Sequence, residues 1–176
     1  MSVLLLQPTP GASPQIGALL AMLEATRAST LAAVAGLSTA ALAHRHDATA
    51  NPIGALIAHI TAIEYAYLTA TLETTPPSMD EWTVHGPLIR LGPAAWAAAE
   101  GRSLDDLLGV MAAVRARTVA ALSQRADAWL TTTLTLPWLS GPATPFWAWY
   151  HVMEDELNHR GQIRLLRARL PEALRA

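Results

Sequence analysis

Three times in this chain a capping side chain stands directly before a proline: Ser13-Pro14, Asn51-Pro52 and Thr144-Pro145. Proline at the first helical position loses nothing by lacking an N–H, because that amide has no partner inside the helix. A Ser, Asn or Thr ahead of it can accept a hydrogen bond from the orphaned amides of the first turn. Each pair therefore predicts a helix start, and each is followed by a long segment with helical apolar spacing. The first predicted helix runs from about Pro14 to Ala35, with Ile16, Leu19, Leu20, Leu23, Leu31 and Val34 as its stripe and Gly36 as its stop. The second, Pro52 to Thr74, is apolar almost all round, the pattern of a buried helix, and Pro76-Pro77 ends it. The last runs from Pro145 to Leu170 and stops at Pro171. A further helix opens without proline: Ser103 caps it, Asp106 completes a variant capping box, and Leu107, Leu108, Met111, Val114, Thr118 and Leu122 carry its inner stripe.

The segments between these helices are of two kinds. LSTAALAHRHDATA is a connection with a short helical turn. Residues 76–102, with two Trp, several Pro and Gly and the helical-looking PAAWAAAE, read as a long irregular crossover of the sort that covers a cleft. DAWLTTTLTLPWLSGPA, rich in β-branched residues and turn formers, predicts an extended piece. Four helices joined by long connections define an all-α fold, a four-helix bundle, and 176 residues make it one domain.

Composition narrows the chemistry. Hydrophobic residues make up 52% and charged ones 15%, with a net charge of -2 and no long basic run, so neither nucleic acid nor an anionic membrane surface is an expected partner. All twelve basic residues are Arg, which excludes a lysine Schiff base. Without Cys there is no disulfide, thiolate nucleophile or Cys-ligated zinc. The opening MSVLLLQPTPGAS has an apolar patch but no positive n-region, and no stretch approaches eighteen uninterrupted apolar residues, so the expected location is cytoplasmic.

The predicted last helix places Asp155 and His159 four residues apart, so both leave one face a turn apart. A carboxylate and an imidazole so spaced can grip one metal ion, and the best third donor is His59 in the second helix. Val152, Asp155, His159, Gln162 and Leu166 recur every three or four residues, which puts polar groups in an otherwise apolar line; a carboxylate buried there needs a partner. The plainer alternatives are a solvated (i, i+4) pair for Asp155 and His159 and a hydrogen-bonded core histidine for His59. Glu64, about 140° round the helix from His59, is no natural co-ligand and suits an ion pair with Arg160 or another Arg. Glu154 and Glu156 read as solvated charges and His151 as a cleft-edge histidine; His44, His46 and His85 lie in connections. Arg160, Gly161 and Gln162 suit packing and support of a ligand. Trp147, Trp149 and Trp82 are candidates for an apolar pocket, with core packing expected for most of the six Trp.

Two of these segments carry a resemblance. HVMEDELNHRGQIRLLRARL resembles the last-helix signature of the DinB/YfiT-like superfamily of metalloenzymes, in which a histidine and three residues precede His-Arg-Gly-Gln. Asn51, Ile53, Gly54, His59 and Glu64 are similar to its second-helix signature. The two matches cover about a third of the chain. The resemblance implies metal ligands at His59, Asp155 and His159, holding nickel or zinc, or manganese or iron. The family's usual histidine is here Asp155, a competent hard ligand for such ions. Two His and one carboxylate leave positions open for water or substrate, as in a catalytic site. The resemblance further implies a small-molecule partner and either a transferase using a low-molecular-weight thiol or a hydrolase. Its alternative is a non-catalytic stress-response or binding bundle, and a homodimer is a mild expectation.

Overall fold

The computed structural model describes residues 5–73 and 75–175; Thr74, where the second helix was expected to end, and residues 1–4 of the apolar opening lie outside them. Seven α-helices follow in order: α1 (Pro14–Val34), α2 (Thr39–Ala43), α3 (Ile53–Thr71), α4 (Met79–His85), α5 (Pro93–Ala99), α6 (Leu104–Leu122) and α7 (Pro145–Ala168). The four long ones, α1, α3, α6 and α7, are the four read from the sequence. The crossover is more regular than expected, since it holds both α4 and α5. The expected extended piece forms a short 3-10 helix, Asp127–Thr131, and a single antiparallel bridge between Leu134 and Ala143.

Hydrogen bonds between helices give their directions. Arg27 meets Glu156 and Arg167 donates to the Ala33 carbonyl, so α1 and α7 run parallel. Arg115 meets Glu64 and Arg125 donates to the Leu72 carbonyl, so α3 and α6 run parallel too. Trp149 donates to Thr71 while Asp155 faces His59, which makes α3 and α7 antiparallel. The order is up, down, down, up. A short turn cannot join two parallel neighbours, so the chain must travel the length of the bundle between α3 and α6. That requirement explains the crossover, which packs α4 and α5 onto α3. By length and composition α1 and α3 are apolar enough to cross a membrane, yet 78% of the apolar window of α3 is buried inside the bundle.

The helix starts are secured differently from the sequence expectation. Thr144 does cap α7, accepting from the Trp147 amide at 3.2 Å, and Ser103 with Asp106 forms the capping box of α6. Ser13, however, makes no cap: Asp127, distant in sequence, accepts from the Gln15 and Ile16 amides at 2.9 and 3.1 Å and from Ser13 Oγ at 2.6 Å. Asn51 is likewise diverted, its Oδ1 accepting from the Trp96 indole at 2.6 Å, and α3 begins one residue past Pro52. At the end of α1, Gly36 adopts φ +75°, the left-handed conformation that stops a helix at little cost to a residue without Cβ.

The core consists of two apolar clusters separated by a layer of charge. One gathers Val34, Leu42, Leu56, Ile60, Leu107, Met111 and Ile163, the other Ile16, Leu23, Leu68, Val114, Leu122, Trp149 and Val152. Between them lie Arg27, Glu64, Arg115 and Glu156, one from each long helix and all buried. Arg27 grips Glu156 through Nε and Nη2 at 2.9 and 3.0 Å and reaches Glu64 at 2.7 Å. Arg115 grips Glu64 at 2.7 and 3.0 Å, reaches Glu156 at 3.4 Å and donates to the Leu23 carbonyl at 2.8 Å. Two positive and two negative charges cancel within a closed ring. Burial alone would raise the Glu64 carboxyl, but Arg115 and Arg27 outweigh it and hold the group below the carboxylate range.

Several expectations are corrected by this layer. Glu156 is not a solvated charge, and Arg27 occupies the inward face of α1 while Leu31 is exposed; Glu64 makes the expected arginine pair, with Arg27 and Arg115 as its partners. Gly161, expected at a close helix contact, faces open space. Of the Trp residues only Trp149 is fully buried; Trp82, Trp138 and Trp147 are exposed.

Candidate metal centre in the α3–α7 seam

About one turn from the charge ring, α3 and α7 bring His59, Asp155 and His159 together. One ligand atom from each lies within 4.8 Å of the others. His159 Nε2 stands 3.3 Å from Asp155 Oδ1, and His59 Nε2 stands 3.6 Å from the same oxygen. Donors bonded to one ion at about 2.1 Å sit roughly 3.0 to 3.5 Å apart in octahedral or tetrahedral arrangements. Two of the separations thus stand close to coordination spacing. The two imidazoles meet edge to face, with centroids 4.8 Å apart.

The supports of the two rings decide which nitrogens face inward. His59 Nδ1 lies 2.8 Å from the Leu88 carbonyl, which can only accept, so Nδ1 carries the proton and Nε2 keeps its lone pair for the cluster. Leu88 belongs to a 3-10 turn, Gly86–Leu88, in the crossover; that connection thereby fixes a ring on α3. His159 Nδ1 pairs with Gln162 Oε1 at 3.1 Å, again leaving Nε2 inward. Two lone pairs and a carboxylate converge with no donor among them in that tautomeric state. Asp155 Oδ2 is buried without a hydrogen-bond partner among the described residues. An acceptor-only cluster with an orphaned oxygen fits a cation.

In the absence of a cation a protonated imidazole takes its place, donating to Asp155. Burial pushes the Asp155 carboxyl up, yet the hydrogen bonds and charges of His159 and His59 prevail and hold it well below the carboxylate range. Burial lowers His159, while Asp155 and Gln162 more than offset that and raise it. Asp155 is thus an anion, and it favours positive charge beside it, whether on an imidazole or on a cation.

The other sequence-derived candidates are distributed around this centre. Gln162 touches it through His159. His151, one turn before Asp155, hydrogen-bonds Glu154 at 3.3 Å and stacks on Trp147. Arg160 turns away to hydrogen-bond Ser29 on α1, and Glu64 belongs to the charge ring. His46 meets the Leu166 carbonyl at 3.2 Å, His44 packs edge-on against His46, and His85 is buried against Tyr65. Sequence reasoning missed the Leu88 carbonyl, since any residue supplies that group and no side-chain pattern marks it. It also missed Tyr67, two turns along α3 from His59, whose phenol feels the Asp155 charge.

Helix order and the three converging side chains define an all-α bundle of the DinB/YfiT-like class. A conserved protein from Enterococcus faecalis shares the fold, with a TM-score of 0.61 at 16% identity over 84% of this chain and 94% of that one. The family model of the mycothiol-S-transferases matches residues 18–171, and the chain belongs to that family. The family's chemistry is thiol S-transfer, which implies a small thiol as substrate. No curated protein sequence matches the chain.

Proposed function

We propose that the protein transfers a low-molecular-weight thiol, mycothiol by its family, to an electrophilic small molecule, at a divalent cation held by His59, Asp155 and His159. The single observation carrying this reading is the convergence of two imidazole lone pairs on a carboxylate whose second oxygen has no partner among the described residues. A divalent cation bound there would supply acidification of a coordinated thiol, and so a nucleophile near neutral pH. The chain's own residues do the rest. Leu88 and Gln162 orient the two rings so that Nε2 faces inward, and Asp155 supplies the one negative charge of the set. Because that charge is single, a site holding a divalent cation would stay cationic and would favour a thiolate. With no Cys in the chain, the sulfur must come from the cosubstrate.

Elemental analysis of protein purified without a metal-affinity tag, followed by a mycothiol conjugation assay, tests the reading. One divalent ion per chain and conjugation that disappears in His59→Ala are expected. A wild type that takes up no stoichiometric ion when zinc or nickel is supplied would remove the basis for it. Release of a hydrolysed product with no thiol adduct would convert the assignment to a hydrolase.

A further inference from the structure

Trp147, His151, Asp155 and His159 recur at every fourth position of α7, so they form one line along the helix with about 6 Å between successive members. Only the last two belong to the metal centre. The first two lead away from it to a surface cavity of about 610 Å³ lined by Trp147 with Thr133, Leu139, Pro142 and Ala143. That volume suits a small organic molecule.

The approach from the cavity to the metal centre is aromatic. The Trp147 indole lies parallel to the His151 imidazole, 5.3 Å between centroids and 3° between planes. His151 in turn meets Tyr67 at 5.6 Å, and Tyr67 meets Trp138 edge-on at 5.6 Å. Trp147, which lines the cavity, is 39% exposed, a large apolar area to leave in water. Tyr67 Oη accepts from Trp138 Nε1 at 3.4 Å, and its own proton has no acceptor among the described residues. Burial first, then the Asp155 charge, raises the phenol, which keeps it protonated near neutral pH. No Arg and no carboxylate lines the cavity, so nothing in its wall selects a charged molecule.

We propose that this cavity is the subsite for the electrophilic partner of the reaction and that it takes a flat, uncharged aromatic or conjugated molecule, stacked on Trp147. The assignment rests on the thiol-transfer reading for the role of that molecule, and on the cavity alone for its binding.

The test separates binding from turnover by using N-phenylsuccinimide, which has the shape of a maleimide electrophile but no reactive double bond. Calorimetric titration into the metal-free full-length protein is expected to show saturable binding, with N-ethylsuccinimide at least tenfold weaker. Trp147→Ala is expected to weaken N-phenylsuccinimide about tenfold, with unchanged far-UV circular dichroism. Equal binding of the two succinimides, or binding indifferent to Trp147→Ala, overturns the proposal. Conjugation of mycothiol to N-phenylmaleimide by the metal-loaded enzyme is measured separately. If conjugation fails while Trp147-dependent binding holds, the subsite stands and the functional reading falls; conjugation without such binding does the reverse.

Discussion

Two clusters of ionisable side chains lie within a turn or so of each other in this bundle, and they are built on opposite principles. In the ring of Arg27, Glu64, Arg115 and Glu156 each carboxylate oxygen has an arginine donor, the charges sum to zero, and one residue comes from each long helix. In the seam cluster of His59, Asp155 and His159 the facing atoms are acceptors, and one carboxylate oxygen is left over. The first cluster needs nothing further. The second leaves Asp155 Oδ2 without a partner among the described residues. Burial is common to both, so burial alone does not distinguish a structural polar group from a functional one; completeness of pairing does.

The comparison is broken most directly by opening the ring. Arg115→Met leaves Glu64 with one partner and Glu156 with a weakened set, and removing one member of a buried charge network is expected to cost about 3–5 kcal/mol of stability in urea unfolding. Asp155→Asn in metal-free protein is expected to cost less than half as much, since only the two histidines pair with its carboxylate. Equal losses in the two variants would show that the clusters do not differ in kind. Next in size is the response to metal. Zinc or nickel at a free concentration about 100 times its dissociation constant is expected to add about 2.7 kcal/mol to the wild type and nothing to Asp155→Asn, read as a rise in melting temperature.

Gln162→Ala sharpens the contrast, because it removes the support of the His159 ring without touching the ring of charges. Metal affinity is expected to fall about tenfold with little change in metal-free stability. The smallest effect belongs to His85, which is in neither cluster. Burial lowers it from the ordinary 6.5 to about 4. Above pH 6.5 it is neutral in both states. Below that the unfolded chain takes up a proton that the folded chain refuses until about pH 4, so stability falls as pH drops through this window. The urea midpoint is expected to decline from pH 7 to pH 5, and His85→Phe should reduce that decline by on the order of 1 kcal/mol. An unchanged decline would locate the acid sensitivity elsewhere.

What was legible in the sequence was local. Asp155 and His159 can be placed on one face because a helix fixes four-residue neighbours by its own geometry. His59 could be nominated but not oriented, since its direction depends on the Leu88 carbonyl in a crossover 29 residues away. Glu156 was misread for the same reason: it sits one position from Asp155, on another face, and its arginines come from α1 and α6. Ser13 and Asn51 have the form of caps, yet Asp127 and Trp96 gave them other partners.

By itself the sequence determined four long helices, their approximate limits, the buried character of α3 and the absence of Lys and Cys, because propensity, apolar periodicity and composition act within a few residues of each position. The tertiary structure alone decided that four separated charged residues would close into a neutral layer and that three other side chains would meet in the α3–α7 seam. The reason is that pairing energies depend on distance through space, and the up, down, down, up order of the bundle sets which distant residues become neighbours.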